Sequence, residues 1–126
     1  MFIKQINYLD NMEKKVLIID DSKDDLAAMS AILEKENFSV VTANNGAEAL
    51  DLLKGDGIQL ILIDVQMPTL SGYDLLRLLR ERLNHKVKMI YVSIIPENEV
   101  DMDDIDGFVQ KPFDPEGLMS KVNEVL

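Results

Sequence analysis

The chain has 126 residues, 47% of them hydrophobic, which is typical of one globular domain that buries a core. It has no cysteine and a single histidine, His85, in a polar turn, so disulfides, thiolate metal sites and multi-histidine zinc sites are excluded. The net charge of −10 disfavours direct binding to nucleic acid or anionic membrane, and the lack of a long apolar window or secretion signal indicates a cytoplasmic protein.

Residues 1–14 lack the alternating strand and helix patterns of the remaining chain. We interpret them as an N-terminal extension that is either disordered or packed as a short helical turn, because Phe2, Ile6 and Leu9 have the spacing of one helical face. Alternatively, Met12 is the natural start and the first strand follows almost directly. One domain is predicted over residues 15–126.

The first strand and helix follow at once. Residues 16–19 are aliphatic and end on two acids, Asp20 and Asp21. Ser22 and Asp25, three residues apart, have the pattern of a capping box. Apolar residues at helical spacing then predict a helix to about residue 36: Leu26, Met29, Ile32 and Leu33.

A second strand and helix follow with the same pattern of an apolar run and a capping pair. Residues 38–42 predict a strand, and Asn45 with Glu48 repeats the capping pattern. The helix that follows is expected to be short and to stop at Gly55. Its apolar side is small and comprises Ala49, Leu52 and Leu53.

The third strand precedes the residue on which the functional interpretation depends. It is predicted over residues 58–63, and its last four are consecutive aliphatics, a run that suits a strand buried on both faces of a parallel sheet. Asp64 follows directly, before Pro68 and Gly72 break the chain. Ligands of open α/β sheets collect outside the carboxyl ends of the strands, so Asp64 is a candidate site residue. The alternative is an ordinary loop aspartate that caps the next turn.

Gly72 opens a third predicted helix, which buries leucines on one side. Residues 87–92 form a fourth strand, which ends at Ser93. Residues 97–106, ENEVDMDDID, contain six acids and little to bury, so a helix there would be short and poorly anchored. Three arginines of the third helix are most simply a solvated face: Arg77, Arg80 and Arg82.

The last strand is predicted over residues 107–110 and stops at Lys111 and Pro112. Asp114 and Pro115 then have the pattern of an N-cap and the first turn of a final helix. Five strands that alternate with helices predict an α/β fold, with a parallel sheet covered on both faces.

Chemically reactive side chains follow four of the five strands: Asp20 and Asp21, then Asp64, Ser93 and Lys111. Because parallel strands place these ends at one edge of the sheet, we expect the side chains to converge. Two like charges about 4 Å apart repel by roughly 4 kcal/mol at an effective dielectric constant near 20, so three carboxylates need cations. Lys111 supplies one positive charge. With oxygen ligands only, Mg²⁺ is the natural choice for the rest.

This arrangement favours phosphoryl chemistry. Mg²⁺ held by few carboxylates keeps positions open for phosphate oxygens. A carboxylate can take up a phosphoryl group as an acyl phosphate, while the metal and Lys111 neutralise charge on the equatorial oxygens. Ser93 offers a hydroxyl to one of those oxygens.

Over residues 15–126 the chain resembles the receiver domain of two-component response regulators. The resemblance is carried by the acid pair in VLIIDDS, the acid in LIDVQMPTLSG, the hydroxyl in YVS and the lysine in GFVQKPF. It implies a flavodoxin-like, doubly wound, five-stranded parallel sheet in the order 2-1-3-4-5. It also implies about five helices, of which the fourth is shortened or irregular here.

The resemblance implies a role for each site residue. Asp64 corresponds to the phosphorylated aspartate, Asp21 to the direct Mg²⁺ ligand and Asp20 to a ligand that acts through water. The main-chain carbonyl of Gln66 would complete the protein's share of the coordination. Lys111 would pair with Asp64 or its phosphoryl group.

The resemblance also implies a cis peptide bond between Lys111 and Pro112 and a switch formed by Ser93 and Phe108. In that switch the hydroxyl moves toward the phosphoryl group and the aromatic ring follows. The alternative for Phe108 is a plain core aromatic.

The implied function is a stand-alone response regulator that accepts a phosphoryl group on Asp64, with Mg²⁺, from a sensor histidine kinase or histidine phosphotransfer protein. It would signal to an unknown downstream protein by phosphorylation-dependent contacts, as a monomer or weak dimer, without binding nucleic acid or membrane. Such a domain is not an enzyme in the ordinary sense, although it can catalyse its own phosphorylation and dephosphorylation. A phosphatase of the haloacid dehalogenase type is disfavoured because Gln66 stands where a second acid would be needed. A flavin site is disfavoured because acids follow the first strand.

Two departures from the family pattern support an alternative, a receiver-fold binding module that does not switch. Ile94 follows the switch hydroxyl where the family has a small residue, and we expect it to slow hydrolysis. The interval from Ser93 to Lys111 is about one helical turn shorter than usual, so residues 94–106 are either an irregular solvated loop or a specialised docking surface.

Overall fold

A computed structural model gives the structure of the protein and describes residues 14–53, 57–83 and 86–126. All of the predicted extension except Lys14 lies outside these residues, as do His85 and Gly55, the expected end of the second helix. Among the residues described, no helix is both long enough and apolar enough to cross a membrane.

Five parallel strands form one sheet in the order β2-β1-β3-β4-β5, which confirms the predicted order. Each observed strand lies within one residue of its predicted bounds. The strands are β1 (Lys15–Ile19), β2 (Ser39–Ala43), β3 (Ile58–Ile63), β4 (Lys88–Ser93) and β5 (Gly107–Gln110).

Four α-helices cover the sheet within the described residues: α1 (Lys23–Lys35), α2 (Gly46–Leu52), α3 (Gly72–Arg82) and α4 (Pro115–Val125). Their N-caps explain where they begin. The side chains of Ser22, Asn45 and Asp114 each accept a hydrogen bond from a backbone N–H three residues later, as the sequence predicts. Ser71 caps α3 in the same way, and this cap was not predicted from the sequence.

The sheet has a separate apolar layer on each face, which explains its unbroken aliphatic runs. In β1, Leu17 and Ile19 pack in one cluster with residues of α2 and α3, whereas Val16 and Ile18 pack in the other with residues of α1 and α4. Side chains alternate between the two faces of a strand, so the covered part of a central strand needs apolar residues on both faces. Strands β1 and β3 lie side by side in the middle of the sheet.

The connection from β4 to β5 contains a single 3₁₀ turn, Glu97–Glu99, in place of a regular fourth helix, which confirms that this element is shortened and irregular here. In the acidic segment, residues 97–106, Val100 is the one apolar side chain that is buried. A helix needs a continuous apolar stripe to pack, and this segment lacks one.

Arg80 holds the acidic segment in place, so the prediction that Arg80 belongs to a solvated face is wrong. Its guanidinium donates to the carbonyl oxygen of Asp104 (2.8 Å from Nη2), to Asp106 Oδ2 (2.9 Å) and to the carbonyl of Val87 (3.0 Å). Asp106 Oδ2 also accepts from the backbone N–H of Met89. The segment is irregular but anchored to the body of the domain.

Candidate functional site

The carboxyl ends of β1 and β3 place the predicted acids side by side. The hydrogen-bond ladder continues one residue beyond each strand: the N–H of Asp64 donates to the Ile19 carbonyl (2.9 Å), and that of Asp20 donates to the Ala43 carbonyl (3.1 Å). One carboxylate oxygen from each of Asp20, Asp21 and Asp64 lies within 4.8 Å of the other two. Asp20 and Asp64 are buried whereas Asp21 is exposed, so the acid cluster opens to solvent on the Asp21 side.

Lys111 extends into this cluster from the end of β5. Its Nζ lies 2.7 Å from Asp20 Oδ2, 2.8 Å from Asp25 Oδ2 and 3.8 Å from Asp64 Oδ2. The N–H of Lys111 donates to the Ser93 carbonyl (2.8 Å), which fixes the start of the side chain. The Lys111–Pro112 peptide bond is cis, as the resemblance implied.

The electrostatic balance of the cluster is negative. Burial raises the pKa of Asp64 to about 7, and the neighbouring Asp20 carboxylate adds to the rise, while Lys111 and the Gln66 N–H oppose it. For Lys111, burial lowers the pKa, but hydrogen bonds to Asp20 and Asp25 outweigh burial and raise it. One ammonium group therefore does not neutralise the carboxylates, and a divalent cation bound by oxygens fits this donor set.

The loop after β3 shapes the site through its backbone. The N–H of Gln66 donates to Asp64 Oδ1 (3.3 Å), and the N–H of Gly72 donates to the Val65 carbonyl (2.8 Å). A Cβ atom on Gly72 would overlap the carbonyl oxygen of Asp64 and lie 2.8 Å from the Val65 Cα. Only glycine allows the first turn of α3 to approach the Asp64 backbone this closely.

Ser93 and Phe108, the predicted switch pair, are both buried. The hydroxyl of Ser93 accepts a hydrogen bond from the N–H of Ile95 (3.1 Å). Phe108 packs in the apolar cluster that contains Tyr91 and Val100. These positions suit a core aromatic as well as a switch, so the switching role stays a prediction.

Residues 16–123 match the family model of the response regulator receiver domain. The chain belongs to this family. The curated regulator CpxR of Escherichia coli K12, named as a transcriptional regulatory protein, is 32% identical in an alignment of 119 positions that covers 89% of this chain and 49% of CpxR. The receiver thus spans about half the length of such curated relatives.

Solved structures of other receivers have the same fold. The chemotaxis protein CheY4 of Vibrio cholerae is 29% identical with a TM-score of 0.83, over 90% of this chain and 98% of that one. The response regulator TrrA of Thermotoga maritima, whose structure is a complex with Mg²⁺ and beryllofluoride, is 27% identical with a TM-score of 0.80, over 90% and 99%.

In this receiver the structure brings together Asp20, Asp21, Asp64 and Lys111, the residues that carried the sequence argument. Ser93 lies at the end of the neighbouring strand, β4. The exposed side of the cluster belongs to Asp21, the residue that the resemblance identifies as the direct metal ligand.

Two residues near the site were missed by the sequence reading. Asp25 was assigned only to the cap of α1, yet its carboxylate pairs with Lys111, which is distant in the sequence. The side-chain amide of Gln110 donates to the carbonyls of Ser93 (3.1 Å) and Ile94 (2.9 Å), a contact that no sequence pattern indicates. Gln110 thereby joins the end of β5 to the end of β4, where Ser93 lies.

Proposed function

We propose that this receiver accepts a phosphoryl group on the Asp64 carboxylate from a phosphohistidine of a histidine kinase or phosphotransfer protein, with Mg²⁺ bound. The change would be transmitted by phosphorylation-dependent contacts with a downstream protein. The proposal depends above all on one observation: oxygens of Asp20, Asp21 and Asp64 gather within 4.8 Å of one another beside the Lys111 ammonium.

The donor set for the metal would be the carboxylates of Asp21 and Asp64 and the main-chain carbonyl of Gln66, with Asp20 acting through water. All these donors are oxygens, the ligands that Mg²⁺ prefers. The bound ion would supply positive charge for the phosphoryl oxygens. The exposed Asp21 side leaves room for a donor to approach.

The residues of the chain would then have separate tasks. An Asp64 oxygen attacks phosphorus; its bond to phosphorus forms as the bond to the donor imidazole breaks, and the imidazole nitrogen keeps the electron pair. Lys111, now 3.8 Å from Asp64 Oδ2, neutralises charge on the transferred group. Ser93 and Phe108 would respond to that group as the switch.

A second candidate function is a receiver-fold binding module that does not switch. It is favoured by the connection between β4 and β5, where a 3₁₀ turn replaces a helix. Arg80 anchors the later part of that connection through the carbonyl of Asp104 and the carboxylate of Asp106. Ile94 is 64% exposed beside the switch hydroxyl. We expect its bulk to slow hydrolysis of the acyl phosphate, which would be measured as a faster decay in an Ile94→Ala variant.

Beryllofluoride, a mimic of the phosphoryl group, tests both candidates by NMR. The proposed function predicts Mg²⁺-dependent binding that EDTA reverses, that Asp64→Asn abolishes and that Asp24→Asn, an exposed control on α1, retains. Binding with shifts at Ser93, Phe108 and residues 97–106 supports switching, whereas binding with those signals unchanged supports the static module. Binding by Asp64→Asn equal to wild type would exclude Asp64 as the acceptor.

A further inference from the structure

The Lys111 ammonium is held most closely by carboxylates other than the proposed acceptor. Its Nζ is within hydrogen-bond distance of Asp20 (2.7 Å) and Asp25 (2.8 Å), but it is 3.8 Å from Asp64 Oδ2, beyond that distance. An ammonium group has three donors, and two of them have short contacts here. A phosphoryl group on Asp64 would therefore share the Lys111 ammonium with the carboxylates of Asp20 and Asp25.

Asp20 and Asp25 differ in how they are held. Asp20 is fully buried, and its Oδ1 accepts from the N–H of Ser22 (2.9 Å), which locks the carboxylate in place. Asp25 lies in the first turn of α1 with its side chain 36% exposed. A capping box would direct the side chain of Asp25 to the N–H of Ser22, but Asp20 occupies that donor, so the Asp25 carboxylate is available to Lys111.

We propose that Asp25 is a positioning residue that holds Lys111 back from Asp64 and thereby weakens the site's hold on a phosphoryl group. This inference rests on the proposed function of Asp64. Asp25 competes with the incoming anion for the same ammonium group, and its negative charge repels that anion.

The size of the effect follows from exposure. Lys111 is nearly buried but Asp25 is partly exposed, so water and salt screen part of their attraction. We expect loss of the Asp25 charge to tighten binding of beryllofluoride at saturating Mg²⁺ by up to about fivefold, the upper end of the range for an exposed ion pair. Because the effect is electrostatic, it should shrink as ionic strength rises.

Asp24 offers a matched control, because it is an exposed aspartate in the same first turn of α1. Asp25→Asn and Asp24→Asn make the same change of charge at the same helix end, and neither touches the Ser22 cap, whose donor is the backbone N–H of Asp25. Asp25→Ala serves as a second variant, and circular dichroism checks the fold of each. Affinity for beryllofluoride is then measured for all three and for wild type at saturating Mg²⁺ and at two salt concentrations.

A double-mutant cycle shows whether Asp25 acts through Lys111. The inference predicts tighter binding in both Asp25 variants, little change in Asp24→Asn, and loss of the Asp25→Asn effect in a Lys111→Met background. Equal affinities for Asp25→Asn and Asp24→Asn would overturn the inference, as would an Asp25→Asn effect that persists in the Lys111→Met background. In either case, binding of beryllofluoride by the wild-type protein would still support the proposed function. If wild type itself bound no beryllofluoride, the proposed function and this inference would both fail.

Discussion

Substitution of Gly72 by alanine tests whether the backbone of the loop after β3 determines the geometry at Asp64. The new Cβ would overlap the Asp64 carbonyl oxygen and approach the Val65 Cα, and neither backbone atom can rotate away. Overpacking of this kind costs about 1–3 kcal/mol. The hydrogen bond from Gly72 to the Val65 carbonyl adds about 1 kcal/mol when it is lost.

Alanine favours a helix over glycine by up to about 1 kcal/mol, which offsets part of that cost. The net expectation is a loss of about 1–3 kcal/mol in the free energy of unfolding. With a slope of about 2 kcal/mol per molar urea, the midpoint of urea unfolding should fall by roughly 1 M. Because the strain lies at the Asp64 carbonyl, binding of beryllofluoride should also weaken.

Gly46→Ala is the matched control for Gly72→Ala. Gly46 is also buried and is also the first residue of a helix, but its added Cβ would meet Leu70 Cδ2 at 2.5 Å, the end of a side chain that can change rotamer. We expect its urea midpoint to stay near that of wild type. Equal midpoints for the two variants, or a Gly72→Ala variant that binds beryllofluoride like wild type, would refute the reasoning.

Three further variants test contacts elsewhere in the domain. Arg80→Met should lower the free energy of unfolding by about 1–3 kcal/mol in a urea titration, because it leaves several acceptors unpaired. The control Arg77→Met breaks an exposed ion pair and should lower it by less than about 1 kcal/mol. Gln110→Leu should shift the Ile95 amide NMR signal and cost about 1 kcal/mol, because the Ile94 carbonyl loses the Gln110 donor and the Ser93 carbonyl keeps only the N–H of Lys111. An unshifted signal would contradict this contact. Burial raises the pKa of Tyr91 well above its ordinary value near 10. Above about pH 10 the folded state therefore keeps a proton that the unfolded state loses, and the free energy of unfolding should fall as the pH rises. In Tyr91→Phe the fall in the free energy of unfolding at alkaline pH should be smaller than in wild type. The same pH dependence in both proteins would contradict this role of Tyr91.

The strands and the acids that follow them could be predicted because they depend on local pattern. Residues 60–63 are aliphatic without interruption, a run that suits a strand buried on both faces. Once the strands are parallel, Asp20, Asp21 and Asp64 must lie at one edge of the sheet. The N-caps at Ser22, Asn45 and Asp114 were likewise visible as residue types at fixed spacing.

The contacts of Asp25, Arg80 and Gln110 could not be predicted because each joins segments that are distant in sequence. A capping box and an ion pair to Lys111 require the same residue type at position 25, and only the position of Asp20 decides between them. Arg80 has the sequence setting of a solvated helix face, yet it donates to the Asp104 carbonyl in an irregular segment that no periodicity locates. The partner that each of these side chains contacts in another element depends on how the elements pack in three dimensions.

The most direct test of the central claim is to locate the phosphoryl group after reaction of the protein with acetyl phosphate and Mg²⁺. Intact mass and peptide mapping should find one phosphoryl group on Asp64, removable by hydroxylamine, absent when EDTA replaces Mg²⁺ and absent in Asp64→Asn. No labelling of the wild-type protein, or equal labelling of Asp64→Asn, would contradict the account.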